Sequence, residues 1–271
     1  MKLRNSLPRL FYRAAGFFLL LGCSSLSPST EQSGSQAIVQ LIPDTGVKLS
    51  CTEEKNILRN RLYSSLRPLV YRIEVSVPLL YRVEKYQGTG WAWADKYLWT
   101  CKHLIPSAKN LHIEVWDASG TCHEARVVWR DSIADVALLV MDTMHASVGI
   151  SLRDESFPKV GESVFSLGAP LGLLGTFQEG FVASEPRILD EKKSQPRQLL
   201  LQLSIPAQIG SSGSPVVDSQ GNLIGMISDI ATLSGGYEGI CFAIPAQVLS
   251  QVWEKYRKFA ANDTERPRPS Y

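Results

Sequence analysis

Serine, histidine and aspartate together can make a hydroxyl nucleophilic at neutral pH, and this chain holds each in a setting that could aim it. Ser212 lies in Gly210-Ser211-Ser212-Gly213-Ser214-Pro215, after Gln208-Ile209 and before Val216-Val217. Glycines beside a serine supply unusual dihedrals and close approach, so a hydroxyl can sit on a tight turn with backbone N–H groups facing a bound carbonyl. The same run is equally a Gly/Ser-rich hairpin connector. His103 follows Trp99-Thr100-Cys101-Lys102 and is one of four histidines, with His112, His123 and His145. At a strand end, after Gly88-Thr89-Gly90 and an aromatic strand, it can point into a groove; a lone histidine is more often structural. Asp135 directly precedes Val136-Ala137-Leu138-Leu139. Its carboxylate is thereby drawn out of water and needs a partner. Asp131, four residues earlier, reads as a turn cap.

These residues need rigid elements to carry them. Glu53 to Leu66 can form a short helix closed by Arg67-Pro68. The pattern then changes to short strands, near residues 70–75, 81–84, 90–94, 97–100, 112–115, 125–129 and 136–141. A second set falls near 163–168, 177–183, 198–203, 215–217, 223–227 and 240–244. Strands of four to six residues every 8 to 12 positions, separated by Gly, Asp and Ser, indicate antiparallel barrels or a sandwich. The break between the sets, from Met144 to Val160, favours two similar barrels with a groove between them. Ala246 to Ala260 reads as a closing helix with Val248, Leu249, Val252, Trp253 and Tyr256 inward, followed by a polar tail, 259–271.

The amino terminus is of another kind. Lys2, Arg4, Arg9 and Arg13 precede apolar Ala14 to Gly22, which is too short to span a bilayer and reads as an export signal over 1–22. Its ending, Leu20-Leu21-Gly22-Cys23, resembles the lipobox of bacterial lipoproteins. That resemblance implies cleavage before Cys23, lipidation of Cys23 and attachment to a membrane; Ser24 after the cysteine favours the outer membrane of a Gram-negative cell, facing the periplasm. Residues 24–36 read as a flexible tether, within a linker over 23–52. The whole chain has 28 basic and 26 acidic residues, and the signal holds four basic and none acidic, so the mature chain carries 24 against 26. No basic stripe remains to bind nucleic acid. Cys51, Cys101, Cys122 and Cys241 match no zinc spacing; they permit three disulfide connectivities or serve as core residues.

Taken together, Gly88-Thr89-Gly90, Thr100-Cys101-Lys102-His103, Asp135-Val136-Ala137-Leu138-Leu139, Ser166-Leu167-Gly168-Ala169-Pro170-Leu171-Gly172, Gly210 to Pro215 and Gly239-Ile240-Cys241-Phe242-Ala243-Ile244-Pro245 resemble the trypsin-like serine proteases, closest to the HtrA/Deg protease domain, over about residues 54–257. The resemblance implies an all-β fold of two six-stranded antiparallel barrels with a short N-terminal and a C-terminal helix, spanning 53–258, with barrels near 68–145 and 157–245. It implies a Ser-His-Asp triad of Ser212, His103 and Asp135, an oxyanion hole from the N–H groups of Gly210 and Ser212, and cleavage of peptide bonds through an acyl-enzyme. Protein or peptide substrates are the partners, and neither cofactor nor metal is called for.

Ser211 and Ser214 stand where that family has asparagine and glycine. A serine at the second of these positions occurs in glutamyl endopeptidases of the superfamily, but no histidine follows His145 to read glutamate. By the same matching Pro206 lies at the base of the specificity pocket, Ser228, Asp229 and Ile230 form the wall along which substrate pairs, and Phe242 is nearby, implying a small or medium apolar residue before the cleaved bond. Neither a zymogen step nor a PDZ domain after Pro245 is expected. Selectivity then falls to the groove, to loops 171–178 and 188–197, or to confinement at the membrane. The competing expectation is a lipid-anchored peptide-binding or structural envelope protein with a dormant triad.

Overall fold

The structure, a computed structural model, describes residues 50–93, 96–108, 110–141, 149–153, 156–188, 198–230 and 239–264. The export signal, Cys23, the tether, the charged segment 189–197 and the tail from 265 lie outside the described residues. Helix α1 (Cys51–Leu66) begins at a capping box: the Ser50 hydroxyl accepts the Glu53 N–H at 3.3 Å, and the Glu53 carboxylate accepts the Ser50 N–H at 2.8 Å. Two N–H groups that the first turn leaves without helical partners are thus satisfied. The helix is largely exposed and buries Leu62 and Leu66.

The first sheet contains β1 (Val70–Pro78), β2 (Val83–Ala92), β3 (Tyr97–Thr100), β4 (His112–Trp116), β5 (Cys122–Glu124), β6 (Arg126–Arg130) and β7 (Ala137–Val140), in the order β5-β4-β1-β2-β3-β7-β6. Residues 81–84 and 90–94, expected as separate strands, belong largely to β2, which runs through Gly88-Thr89-Gly90 in unbroken register against β1. The ladder has seven strands rather than six and does not close. Its end strands β5 and β6 are separated only by Ala125, whose N–H donates to the Ile113 carbonyl at 3.0 Å, so the two ends of the sheet meet.

Strands β8 (Ser163–Gly168), β9 (Thr176–Ile188), β10 (Leu199–Ser204), β11 (Pro215–Val217), β12 (Leu223–Ile230) and β13 (Cys241–Pro245) form a closed six-stranded barrel in the order β10-β13-β12-β11-β8-β9. Its interior is filled by Val164, Val182, Leu201, Leu203, Val216 and Ile227 among others. Helix α2 (Ala246–Thr264) buries Leu249, Val252 and Tyr256, the i, i+3, i+7 stripe of a helix with one inward face. Trp253 on α2 lies edge-on to Tyr97 at 5.3 Å, beside the stacked pair Trp91 and Trp99, and these rings lock the helix to the first sheet. Among the described residues no helix is long and apolar enough to cross a membrane.

Candidate active site

Register brings the first two candidates together. Thr100 on β3 pairs with Ala137 on β7, so the residues leaving β3 run beside those entering β7. The Lys102 N–H donates to the Asp135 carbonyl at 3.2 Å, and a 3-10 turn at Lys102–Leu104 then swings the His103 ring over the Asp135 side chain. His103 Nδ1 is 2.6 Å from Asp135 Oδ2, and the His103 N–H donates to Oδ1 at 2.8 Å. Burial raises the Asp135 carboxyl pKa; the His103 ring by hydrogen bond and charge, the Ser228 hydroxyl and the His103 N–H outweigh it and hold the group below its ordinary value. The Asp131 carboxylate caps the turn before Asp135, accepting from Ile133 and Ala134 at 2.9 and 2.8 Å, as its sequence position suggests. Lys255 on α2 adds an ion pair at 3.3 Å to the same carboxylate.

Ser212 comes from the second barrel, on the connection between β10 and β11. Two tight turns shape it: the Ser211 N–H donates to Gln208, and the Ser214 N–H to Ser211. Gly213 has φ of +91°, and a Cβ there would lie 1.9 Å from the Thr89 carbonyl oxygen, so only glycine allows this approach to the first sheet. Gly210 has φ of +96°. No hydrogen bond among the described residues uses the N–H of Gly210 or Ser212 as donor.

Thr89 pins the halves together, a role that its position between two glycines signals only faintly. Wholly buried, it donates its N–H to the Ser212 carbonyl at 2.8 Å and its hydroxyl to the Gly210 carbonyl at 2.8 Å, while the hydroxyl accepts the Ala169 N–H at 2.9 Å. Asp135 makes a second tie, its N–H donating to the Gln198 side chain at 3.2 Å. Ser228, expected in a substrate wall, proves to face both halves. Its hydroxyl donates to Asp135 Oδ2 at 2.7 Å, and its carbonyl accepts the Ser212 hydroxyl at 3.4 Å. That hydroxyl is therefore aimed at Ser228 rather than at the His103 ring.

The remaining pocket candidates are spread along the second barrel. Phe242 is nearly buried on β13, paired with Gln202 on one side and Asp229 on the other. Pro206 is exposed, between buried Ile205 and Ala207. The β11 ladder on β12 ends at the Pro215–Met226 pair, whereas the β13 ladder runs on to Ile230. All four described cysteines are free thiols: no disulfide joins Cys51, Cys101, Cys122 and Cys241, and Cys101 and Cys241 are buried core residues. Cys101 is also close to the site, its sulfur, a His103 ring nitrogen and an Asp135 carboxylate oxygen all lying within 4.8 Å of one another.

Residues 88–226, which are 139 of 271 and just over half the chain, match the model of the trypsin-like peptidase domain. The chain belongs to this family. It is 32% identical over 165 residues to a protein of Pseudomonas putida strain F1 named "Probable periplasmic serine endoprotease DegP-like", covering 61% of this chain and 33% of that protein. A protein of the same name from Rhizobium meliloti strain 1021 is 33% identical over 167 residues, 61% of this chain and 32% of its own length. The chain thus spans about a third of the length of these curated relatives. Among solved structures, an HtrA-type protease with a bound tripeptide matches with a TM-score of 0.63 and 25% identity, over 72% of this chain and 62% of that one.

Proposed function

We propose that this protein is a serine endopeptidase of the bacterial envelope that hydrolyses peptide bonds through an acyl-enzyme. The hydrogen-bonded pair of His103 Nδ1 and Asp135 Oδ2 at 2.6 Å, with Ser212 linked to the same carboxylate through Ser228, carries this reading. Asp135 fixes the proton on Nδ1, which leaves the Nε2 lone pair to accept the proton of the Ser212 hydroxyl as its oxygen attacks the scissile carbonyl. The N–H groups of Gly210 and Ser212 meet the charge developing on the carbonyl oxygen, each such donor contributing about 3–4 kcal/mol to lowering the barrier. The imidazolium then protonates the departing amine, and water repeats the sequence on the ester.

Substrate enters as an added strand along residues 228–230, beyond the end of the β11 ladder. Exposed Leu171, Leu173 and Ile209, with the Leu171 N–H on the Ile209 carbonyl at 2.7 Å, offer apolar contacts beside Gly210 and suit unfolded segments of envelope proteins. Lipidation at Cys23 holds the domain at the membrane, with the outer membrane facing the periplasm as the site. Labelling by a fluorophosphonate tests the reaction: the wild-type chain is expected to be labelled and to cleave a denatured protein mixture. Ser212→Ala is expected to lose both, by about 10^6-fold in rate, with the fold intact. Labelling that survives the substitution would remove Ser212 from the mechanism.

A second reading, a peptide-binding envelope protein with a dormant triad, draws on the Ser212 hydroxyl being directed to Ser228 and not to the imidazole. Absence of labelling in wild type, with peptide binding retained, selects it.

A further inference from the structure

Cys101 lies two residues before His103 and takes no part in the chemistry above. It is wholly buried, and its thiol donates to the Ile227 carbonyl at 3.2 Å. Burial, and then the charge of Asp135, keep that thiol protonated. Yet its sulfur shares a space under 4.8 Å across with a ring nitrogen and a carboxylate oxygen, three donors of different softness on two adjoining turns. Tetrahedral Zn²⁺ holds thiolate, imidazole and carboxylate donors roughly 3.3–3.6 Å from one another. The His103 and Asp135 atoms, at 2.6 Å, need to part by under an ångström to match, and the sulfur, within 4.8 Å of both, needs to close by at most about 1.5 Å.

We infer that Cys101 Sγ, His103 Nδ1 and Asp135 Oδ2 form an inhibitory site for a thiophilic divalent cation of the Zn²⁺ kind, with solvent as the fourth ligand. Its effect on turnover rests on the peptidase reading; the binding itself does not. As the ion enters, the thiol loses its proton to solvent, while the Nδ1 hydrogen is replaced by the ion and a hydrogen is carried instead on Nε2. The ring stays neutral, and one proton is released per ion. An imidazole with hydrogen on Nε2 has no lone pair toward Ser212, so the general base is lost without a change in its charge. Mg²⁺ and Ca²⁺, which take oxygen ligands, are poorly held by this set. Entry is past His103, whose side chain is 46% exposed, because the sulfur has no solvent face of its own.

The test uses the full chain carrying Ser212→Ala, which keeps all three ligands and turns nothing over. Titration with Co²⁺ is expected to produce a thiolate-to-cobalt absorption band in the near ultraviolet and to release one proton per ion. Both should vanish when Cys101→Ala is added. In the otherwise wild-type chain, Zn²⁺ should slow fluorophosphonate labelling roughly a hundredfold or more, with recovery on chelation, whereas the Cys101→Ala chain should be labelled equally with and without Zn²⁺. No Cys101-dependent band, or equal inhibition in the Cys101→Ala chain, overturns the inference; a band with undiminished labelling overturns its inhibitory part. A wild-type chain that is never labelled, even without metal, counts against the peptidase reading, and the cobalt band then decides the site alone.

Discussion

The two halves of the site are held in opposite ways. The first sheet presents His103 and Asp135 already in contact, fixed by the β3–β7 register, by a turn capped by Asp131 and by an aromatic cluster that fastens α2 behind them. The second barrel presents Ser212 on a connection of consecutive tight turns, with its hydroxyl on a backbone carbonyl and two N–H groups that donate to no partner among the described residues. One half is built by side chains, the other by backbone geometry. In the proposed reaction the general base must be oriented beforehand, so its partners are permanent, whereas the oxyanion hole must wait for a charge that appears only in the transition state.

Breaking the permanent half should cost the most. Asp135→Asn removes the acceptor that sets the tautomer and is expected to slow peptide cleavage about 10^4-fold at neutral pH, measured as kcat. The same variant has a stability signature. Because the Asp135 carboxyl is depressed in the folded chain, its bonds contribute fully above the ordinary carboxylate pKa and are lost as pH falls through the folded value. The stability gap between wild type and Asp135→Asn in urea should therefore narrow as pH is lowered from about 5 toward 2.

Thr89→Val attacks the waiting half. It strips a buried bridge from the Gly210 carbonyl and the Ala169 N–H, and should cost about 2–4 kcal/mol of stability, seen as a lower urea midpoint, with labelling reduced more than His103–Asp135 contact explains. Ser228→Ala removes one donor from Asp135 and leaves the carbonyl facing Ser212; labelling should fall roughly tenfold, about 1.4 kcal/mol, with little change in KM. Lys255→Ala breaks an ion pair whose ammonium is half exposed and should cost under about 1 kcal/mol, read as a small shift in thermal midpoint that fades with salt. If Thr89→Val left labelling untouched while Ser228→Ala abolished it, the contrast between the halves would be reversed.

Much was legible locally. Alternating short strands and turn residues locate both strand sets, the helix before Arg67-Pro68 is found within two residues of its start, and α2 runs four residues beyond Ala260. The candidates stand out for different local reasons: His103 follows a strand end, Asp135 precedes a fully apolar strand, and Ser212 lies among glycines. The merging of 81–84 and 90–94 into β2 escaped notice because Gly88 and Gly90 look like breakers; they face Leu104 and Ile73, with no room for a side chain.

Residue types, their order and the periodicity of apolar positions are local properties, so the chain alone determined the β character of the domain, its division into two strand sets and which residues could do chemistry. Which atoms touch is set by pairings across tens of residues. Only the folded molecule decided that Ser228 joins Asp135 to Ser212, that Thr89 locks one half onto the other, that the four described cysteines stay apart, and that the Cys101 sulfur lies within 4.8 Å of a His103 ring nitrogen. Those contacts follow from strand register and turn geometry, which no short window of sequence contains.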